Sequence, residues 1–256
     1  MKPKALVLQA HGSNRDFDVI EALTLAGADA SGIPLNELRM NKTLLLDFNL
    51  LVIPGGFSYA DALGAGKLLA LDLASYFADE IATFVDSGRA VMGICNGFQA
   101  LVKSGILPGT VTGQTTLTFN AQGHFECRWV NLQPVSQKCI WTKDLSENIT
   151  CPVAHGEGNF QTSDNFPFSS FIEQHQIALA YIRADGLPAN GAYPINPNGS
   201  VRDIAGICNP QGNVLGLMPH PENHIHTWQH PRHTRGETSG SGLKLFENGV
   251  KYAKQI

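Results

Sequence analysis

Short apolar runs alternate with amphipathic stretches along the first hundred residues. Three apolar runs, at residues 5–8, 50–53 and 90–94, each end at a polar, proline or glycine turn. Runs of this length without polar alternation predict strands that are buried on both faces. Residues 16–25 and 67–85 have apolar side chains at helical spacing and predict helices. The order strand, helix, strand, helix favours an α/β fold with an open, mostly parallel sheet and helices on both faces.

The second half of the chain predicts four further strands, at residues 129–132, 177–182, 204–209 and 213–218. Three residues that include Gly212 join the last two, a connection short enough for a β-hairpin. Residues 242–255 predict a terminal helix. Residues 183–203 are rich in glycine, proline and asparagine, and predict a long loop near the functional site. Because no repeat or linker interrupts the pattern, we expect one domain over residues 1–256.

Composition and charge narrow the functional classes. The 256 residues are 43% hydrophobic and 16% charged, which is ordinary for a globular protein. A net charge of -4 without a basic run argues against nucleic acid as a partner. No segment approaches the roughly 20 apolar residues of a membrane span, and the N-terminal segment has too few apolar residues for a signal peptide. We therefore expect a cytoplasmic protein.

Cysteine usage points to a reducing compartment. The five cysteines form an odd number without a CxxC pair, so neither a disulfide framework nor a cysteine zinc site is expected. They are Cys95, Cys127, Cys139, Cys151 and Cys208.

The strongest chemical signal is a predicted strand-to-helix turn around Cys95. Glycines at positions 93 and 97 flank this cysteine, and such a turn needs small residues so that it can present the central side chain to a cleft. The amides at the start of the following helix favour a thiolate. A lone free cysteine is more often an inert buried residue, but the paired glycines favour a nucleophile here.

A base for this nucleophile is offered by His220, with Glu222 two residues later. Both follow a predicted strand, at the end where α/β folds place their sites. Residues two apart in an extended segment face the same side, so Glu222 can orient the imidazole of His220 towards the thiol. His-x-Glu is a weak signal by itself, and a surface pair is the plain alternative.

A second glycine turn, Pro54-Gly55-Gly56-Phe57, follows the strand at residues 50–53. The Gly56 amide, together with the amide of Asn96, predicts an oxyanion hole. An ordinary type II turn is the alternative interpretation of these glycines.

Several motifs together resemble the class I glutamine amidotransferases. The segments PGGFSYAD, GICNGFQ and MPHPE carry the resemblance, and Gly93, Cys95, Gly97 and Gln99 fit the family's nucleophile motif G-x-C-x-G-x-Q. Segments at the N-terminal end and at residues 125–132, 151–160 and 196–209 are similar to the glutaminase subunits of phosphoribosylformylglycinamidine synthases. The resemblance extends from the first predicted strand to the terminal helix and implies a flavodoxin-like fold.

The resemblance also implies roles for individual residues. Cys95 is expected to be the nucleophile, His220 the base and Glu222 its orienting carboxylate. The expected glutamine-binding residues are Gly56, Phe57, Asn96 and Gln99.

The implied activity is hydrolysis of glutamine to glutamate and ammonia. The ammonia passes to a PurL-type synthetase, which acts with a small PurS-type subunit and converts formylglycinamide ribonucleotide to formylglycinamidine ribonucleotide in purine biosynthesis. No cofactor or metal is expected in this chain. Because it has no phosphate-binding GxxxxGK[ST] loop, nucleotide binding is assigned to the partner. ATP and magnesium are expected at the partner.

Some positions depart from the family's pattern. Ala10 and His11 precede Gly12 where a proline is expected, Arg15 stands where a cysteine is common, and Asn223 stands where an arginine is frequent. None of these changes removes an expected catalytic group.

Three alternatives stay open at this point. The loop at residues 155–158 either lines the glutamine pocket or faces the synthetase. The histidines at positions 224, 226, 230 and 233 suggest a zinc site, but their irregular spacing around Pro231 favours a partner-contact segment. The third alternative concerns the function of the chain. Instead of a glutaminase, it is either another cysteine hydrolase of the same fold, such as a peptidase or a stress-related relative, or a non-enzymatic assembly subunit.

Overall fold

The structure is a computed structural model that describes residues 1–109 and 113–256. Within these ranges the strands are β1 (Lys4–Gln9), β2 (Asp29–Pro34), β3 (Leu50–Ile53), β4 (Ala90–Ile94), β5 (Thr115–Thr118), β6 (Glu126–Pro134), β7 (Ile149–His155), β8 (Asn159–Thr162), β9 (Ile177–Ile182), β10 (Ile204–Cys208) and β11 (Val214–Leu217). The α-helices there are α1 (Asp16–Leu25), α2 (Leu35–Met40), α3 (Lys67–Tyr76), α4 (Ala78–Asp86), α5 (Asn96–Lys103), α6 (Phe168–Glu173) and α7 (Leu243–Ala253).

Nine strands form one sheet in the order β2-β1-β3-β4-β11-β10-β9-β6-β7. The strands from β2 to β11 in this order are parallel. The strands from β11 to β7 are antiparallel. The predicted α/β sheet is confirmed, and the sheet also has an antiparallel half. A separate two-stranded sheet pairs β5 with β8.

The parallel half is wound in two directions. The connection through α1 leads from β1 to β2 at one edge, whereas α3 and α4 connect β3 to β4 in the opposite direction. Because such crossovers are right-handed, these helices lie on opposite faces of the sheet. The reversal between β1 and β3 opens a crevice at the carboxyl ends of the strands, where sheets of this type bind ligands.

The central strands form the core that supports this crevice. Every residue of β3, β4, β10 and β11 is buried. The burial of β3 and β4 is predicted from their uninterrupted apolar sequences. The predicted hairpin is confirmed, since β10 and β11 pair antiparallel. The terminal helix is also confirmed, as α7. No helix in residues 1–109 or 113–256 combines the length and apolar character that crossing a membrane requires.

The single helix expected at residues 67–85 is wrong. The segment forms α3 and α4, which are separated at Phe77 by a non-helical backbone with φ -126° and ψ 14°. The Phe77 side chain is buried in the core at this break. Apolar spacing alone does not locate the break, because Leu73, Phe77 and Ile81 recur at intervals of four and would also suit one continuous helix.

Candidate active site

Three neighbouring parallel strands direct the predicted site segments to one edge of the sheet. β3, β4 and β11 lie side by side. Gly56 follows β3, Cys95 follows β4 and His220 follows β11. The carboxyl ends of these strands therefore bring together residues that are more than a hundred positions apart in the sequence.

Cys95 has the backbone geometry of a nucleophile elbow. Its φ is 49° and its ψ is -103°, an uncommon conformation for a residue with a side chain. A Cβ at Gly97 would lie 2.0 Å from the Ile53 oxygen, and one at Gly93 would lie 2.8 Å from the Gly97 carbonyl. Both glycines are therefore required by close backbone contacts, which explains the G-x-C-x-G spacing.

The Cys95 thiol lies in a narrow polar environment at the start of α5. The residue is 4% exposed, and its Sγ donates to the Ala154 oxygen at 3.6 Å. Its backbone N–H donates to Leu217 O at 2.8 Å, which joins the turn to β11. The free amides and dipole at the N-terminus of a helix stabilise a negative charge on this sulfur.

His220 and Glu222 form a buried pair beside Cys95. His220 Nδ1 lies 2.7 Å from Glu222 Oε1, and both side chains are buried. Burial opposes protonation of His220, but the negative charges of Glu222 and Cys95, with hydrogen bonds to both, raise its pKa to about 10. The buried carboxylate of Glu222 therefore favours the imidazolium form of His220.

Gly55 sets the position of this imidazole. A Cβ at Gly55 would lie 2.7 Å from His220 Cε1, so the ring packs directly against the glycine backbone. The predicted glycine turn thus contacts the predicted base as well as the cavity.

The Gly56 turn is held by the segment that follows β1. Phe57 N–H donates to Gly12 O at 3.0 Å, and Asn14 N–H donates to Gly55 O at 3.4 Å. Gly56 has a φ of +145°, and a Cβ there would lie 2.8 Å from Gly12 O. Since the Phe57 amide is already bonded, the preceding Gly56 amide is the candidate oxyanion donor of this turn.

A cavity of about 160 Å³ connects three of the four predicted substrate-binding residues with the nucleophile, and the fourth, Asn96, does not line it. Gly56, Phe57 and Gln99 line it together with Cys95. Ala154 and the loop residues His155, Gly156 and Glu157 line it as well. The position of the loop at residues 155–158, which the sequence left open, is therefore in the wall of this cavity.

The side chains of Asn96 and Gln99 are engaged within the protein. Asn96 Oδ1 accepts from Ser58 N–H at 3.2 Å, and its Nδ2 donates to Asp61 Oδ1 at 3.0 Å. Asn96 Nδ2 also donates to Gln99 Oε1 at 3.1 Å, while Gln99 Nε2 donates to Glu157 O at 2.8 Å. A carboxamide has two donor and two acceptor positions, so Gln99 has hydrogen-bonding capacity beyond these contacts.

His155 is a buried neutral histidine in the cavity wall. Burial, and to a lesser extent the charge of His220, lower its pKa to about 3. Its Nδ1 lies 3.1 Å from Asn120 Oδ1, an atom that also accepts from Gly158 N–H at 3.0 Å. Asn120 Nδ2 donates to His155 O at 2.8 Å. Asn120 therefore fixes both ends of the loop.

Sequence reasoning did not identify Asn120 or Ala154 as part of the site, and it did not assign Glu157. Asn120 contacts residues about 35 positions later, and no periodic or motif signal predicts such a pair. The sequence marks the loop at residues 155–158 only through the resemblance of residues 151–160 to the glutaminase subunits.

The His224 and His230 rings lie 5.3 Å apart, whereas His226 is directed to a different partner. His224 Nδ1 lies 2.5 Å from Thr150 O, and His226 Nε2 lies 2.9 Å from Glu21 Oε1. His230 Nδ1 accepts a backbone N–H. In the part of the chain that the structure describes, no three side chains of metal-binding type form a group that could hold an ion.

The two departures at positions 15 and 223 have a common partner. Arg15 Nη1 and Asn223 Nδ2 each lie 3.1 Å from Asp18 Oδ2. These two contacts therefore link the segment after β1 with the segment after β11 at the edge of the site. Neither contact involves a residue of the triad.

Comparison with known proteins identifies the family of this chain. The CobB/CobQ-like glutamine amidotransferase domain matches residues 2–253. The phosphoribosylformylglycinamidine synthase subunit PurQ of Treponema denticola is 52% identical, with coverage of 98% of this chain and 99% of that protein. The subunit of the same name from Dehalococcoides mccartyi is 42% identical, with coverage of 100% and 99%. A chain in the structure of PurLQS from Thermotoga maritima is 32% identical, with a TM-score of 0.74 and coverage of 98% and 99%.

Proposed function

Because this chain belongs to the CobB/CobQ-like glutamine amidotransferase family, and within it to the PurQ subunits, we propose that Cys95, His220 and Glu222 catalyse its glutaminase reaction. The chain is the glutaminase subunit of phosphoribosylformylglycinamidine synthase and acts in purine biosynthesis. It hydrolyses glutamine to glutamate and ammonia, and its partners are PurL-type and PurS-type subunits.

The reaction begins with attack of the Cys95 thiolate on the carboxamide carbon of glutamine. The negative charge that develops on the carbonyl oxygen is stabilised by the amides of Gly56 and Asn96. The His220 imidazolium donates its proton to the amide nitrogen, the C–N bond breaks and ammonia leaves. A γ-glutamyl thioester remains on Cys95, and His220 is neutral.

Hydrolysis of the thioester restores the starting state. Neutral His220 takes a proton from a water molecule that attacks the thioester carbon. The C–S bond then breaks, which releases glutamate and returns Cys95 to the thiolate beside the His220 imidazolium. Glu222 holds the imidazole in the orientation that both steps need.

Glutamine is held beside the thiolate by the cavity wall. Phe57 and Gln99 line the cavity that contains Cys95, and Gln99 contacts the substrate through the positions of its carboxamide that the protein leaves open. The synthetase uses the released ammonia, with ATP and magnesium bound at that partner, to convert formylglycinamide ribonucleotide to formylglycinamidine ribonucleotide. We place the complex in the cytoplasm.

One observation carries the assignment of the triad. The His220–Glu222 pair is buried. Cys95 lies close enough to this pair that both Glu222 and Cys95 raise the pKa of His220. A structural cysteine in a plain strand-to-helix turn would not need a buried ion pair beside it, because an unsolvated carboxylate is costly unless it is paired.

A glutamine analogue that carries a chloromethyl ketone tests the assignment. After incubation with the assembled complex, peptide mass spectrometry should find one adduct, at Cys95, and excess glutamine should prevent it. Cys127 is exposed and serves as an internal control for non-specific alkylation. An adduct only at Cys127, or labelling of Cys95 that glutamine does not slow, would contradict the assignment and favour another cysteine hydrolase.

A further inference from the structure

Glu157 forms three hydrogen bonds that converge on the wall of the catalytic cavity. Its Oε1 accepts from Ala65 N–H at 3.1 Å, and its Oε2 accepts from Lys103 Nζ at 3.4 Å. Its backbone oxygen accepts from Gln99 Nε2 at 2.8 Å. Lys103 Nζ also donates to Ala65 O at 2.5 Å, which closes a ring of contacts. Since the Glu157 side chain is only 16% exposed, the screening that weakens surface ion pairs is reduced.

The ring joins three segments that each carry part of the reaction. Ala65 ends the segment that begins at Gly56 after β3, and Lys103 ends the helix that begins after Cys95. Glu157 lies three residues after Ala154, whose oxygen accepts a hydrogen bond from the Cys95 thiol. One carboxylate therefore links the oxyanion turn, the nucleophile helix and the loop that contacts the nucleophile.

The segment between Gly56 and Ala65 is backbone-strained and needs external support. Tyr59, Ala60, Asp61 and Leu63 all have φ between 52° and 66°. Such left-handed residues cost about 1–3 kcal/mol each unless their surroundings hold them in place. The bond from Ala65 N–H to Glu157 anchors the end of this strained segment.

The same segment is packed closely against α5. A Cβ at Gly66 would lie 2.9 Å from the Ala100 nitrogen, so the backbone next to Ala65 reaches the helix directly. The Ala65 end of the segment that begins at Gly56 is therefore packed directly against the helix that begins after Cys95.

We infer that Glu157 is a positioning residue for glutamine turnover, because its carboxylate holds the Ala65 end of the oxyanion segment against α5. This inference rests on the proposed glutaminase function. It assigns Glu157 no contact with the reacting atoms. The bond to Ala65 N–H carries the effect, and the ion pair with Lys103 supports it.

Three substitutions separate geometry from charge. Glu157→Gln keeps an oxygen at the same distance for Ala65 N–H but removes the ion pair. Glu157→Asp keeps the charge but withdraws the oxygens by one methylene, and Glu157→Ala removes both groups. Glu173→Ala, on the exposed end of α6, is a matched control for loss of a carboxylate.

The assembled complex should be assayed with glutamine and, separately, with ammonia. We expect Glu157→Asp and Glu157→Ala to lower the glutamine-dependent kcat by about tenfold or more, with less change in KM. Glu157→Gln and Glu173→Ala should stay within about threefold of the unchanged protein. The ammonia-dependent rate should be unaffected in all four variants.

Two results would overturn the inference. One is an unchanged glutamine-dependent kcat in both Glu157→Asp and Glu157→Ala. The other is an equal loss of the glutamine-dependent and ammonia-dependent rates, which would indicate a general effect on folding or assembly. Failure of the proposed function itself would be recognised separately, because the unchanged complex would then show no glutamine-dependent rate.

Discussion

The Nδ1 atom of His220 lies 2.7 Å from Oε1 of Glu222, and the Glu222 side chain is completely buried. The other carboxylate oxygen, Oε2, has no hydrogen-bond partner among the described residues. The charge of Glu222 is therefore compensated chiefly by the imidazolium of His220. Such a pair is costly to break from one side, since the remaining charge stays buried and unpaired.

Replacement of Glu222 by Gln should reduce glutamine turnover while keeping the shape of the pair. The substitution removes the charge of Glu222, which raises the pKa of His220 more than Cys95 does, so this pKa should fall. We expect the glutamine-dependent kcat to fall by about 100-fold or more, because the imidazolium is no longer favoured.

Steady-state kinetics of the assembled Glu222→Gln complex, measured over a range of pH, check this prediction. The ammonia-dependent rate is the control and should not change. A glutamine-dependent pH profile identical to that of the unchanged complex would show that Glu222 does not govern the protonation of His220.

The neutral state of His155 predicts sensitivity to acid. Its folded pKa of about 3 lies below the ordinary value of 6.5, so the unfolded chain binds a proton more readily. Stability should therefore be lost as pH falls from about 6.5 towards 3. Replacement by Gln removes this contribution. Between pH 7 and pH 5, the free energy of unfolding of the variant should therefore fall by about 2 kcal/mol less than that of the unchanged protein.

Urea unfolding of the His155→Gln variant at pH 7 and pH 5 measures this difference. His233→Gln is the control, because it removes an imidazole that is exposed. Equal pH dependence in His155→Gln and the unchanged protein would mean that His155 is protonated in the fold.

The close approach of α5 to β3 makes Gly97 sensitive to any side chain. A Cβ would lie 2.0 Å from Ile53 O, a backbone atom that cannot rotate away. We expect Gly97→Ala to lower the free energy of unfolding by about 1–3 kcal/mol or more. At Gly156 the nearest atom to an added Cβ is 3.9 Å away, so Gly156→Ala should change stability by less than about 0.5 kcal/mol.

Thermal or urea unfolding of the two glycine variants compares them directly. Equal stability of Gly97→Ala and Gly156→Ala would contradict the interpretation that steric contact, and not conformational freedom, requires glycine at position 97.

The predicted strands were those in the interior of the sheet. β2 and β7 were not predicted, and both are edge strands of the nine-stranded sheet. Pro152 lies within β7, which is tolerated because an edge strand has one side free of ladder hydrogen bonds. The sequence of β2, DASGIP, is only partly buried, so it lacks the apolar run by which the interior strands are identified.

The site was predictable where its signal is local. The turn around Cys95 depends on glycines two residues away, and His220 and Glu222 are two residues apart, so their geometry follows from a few neighbouring positions. The contact of Glu157 with Ala65 spans 92 positions. A single sequence without a motif for both partners cannot predict such a pair, because only the folded sheet brings the two loops together.

The central claim is that Cys95 is the nucleophile that releases ammonia from glutamine. Its most direct test is product formation by the assembled complex in which Cys95 is replaced by Ala, assayed with glutamine and with added ammonia. We predict that the glutamine-dependent reaction is abolished and that the ammonia-dependent reaction continues at the rate of the unchanged complex. Glutamine-dependent product formation by Cys95→Ala would contradict the account.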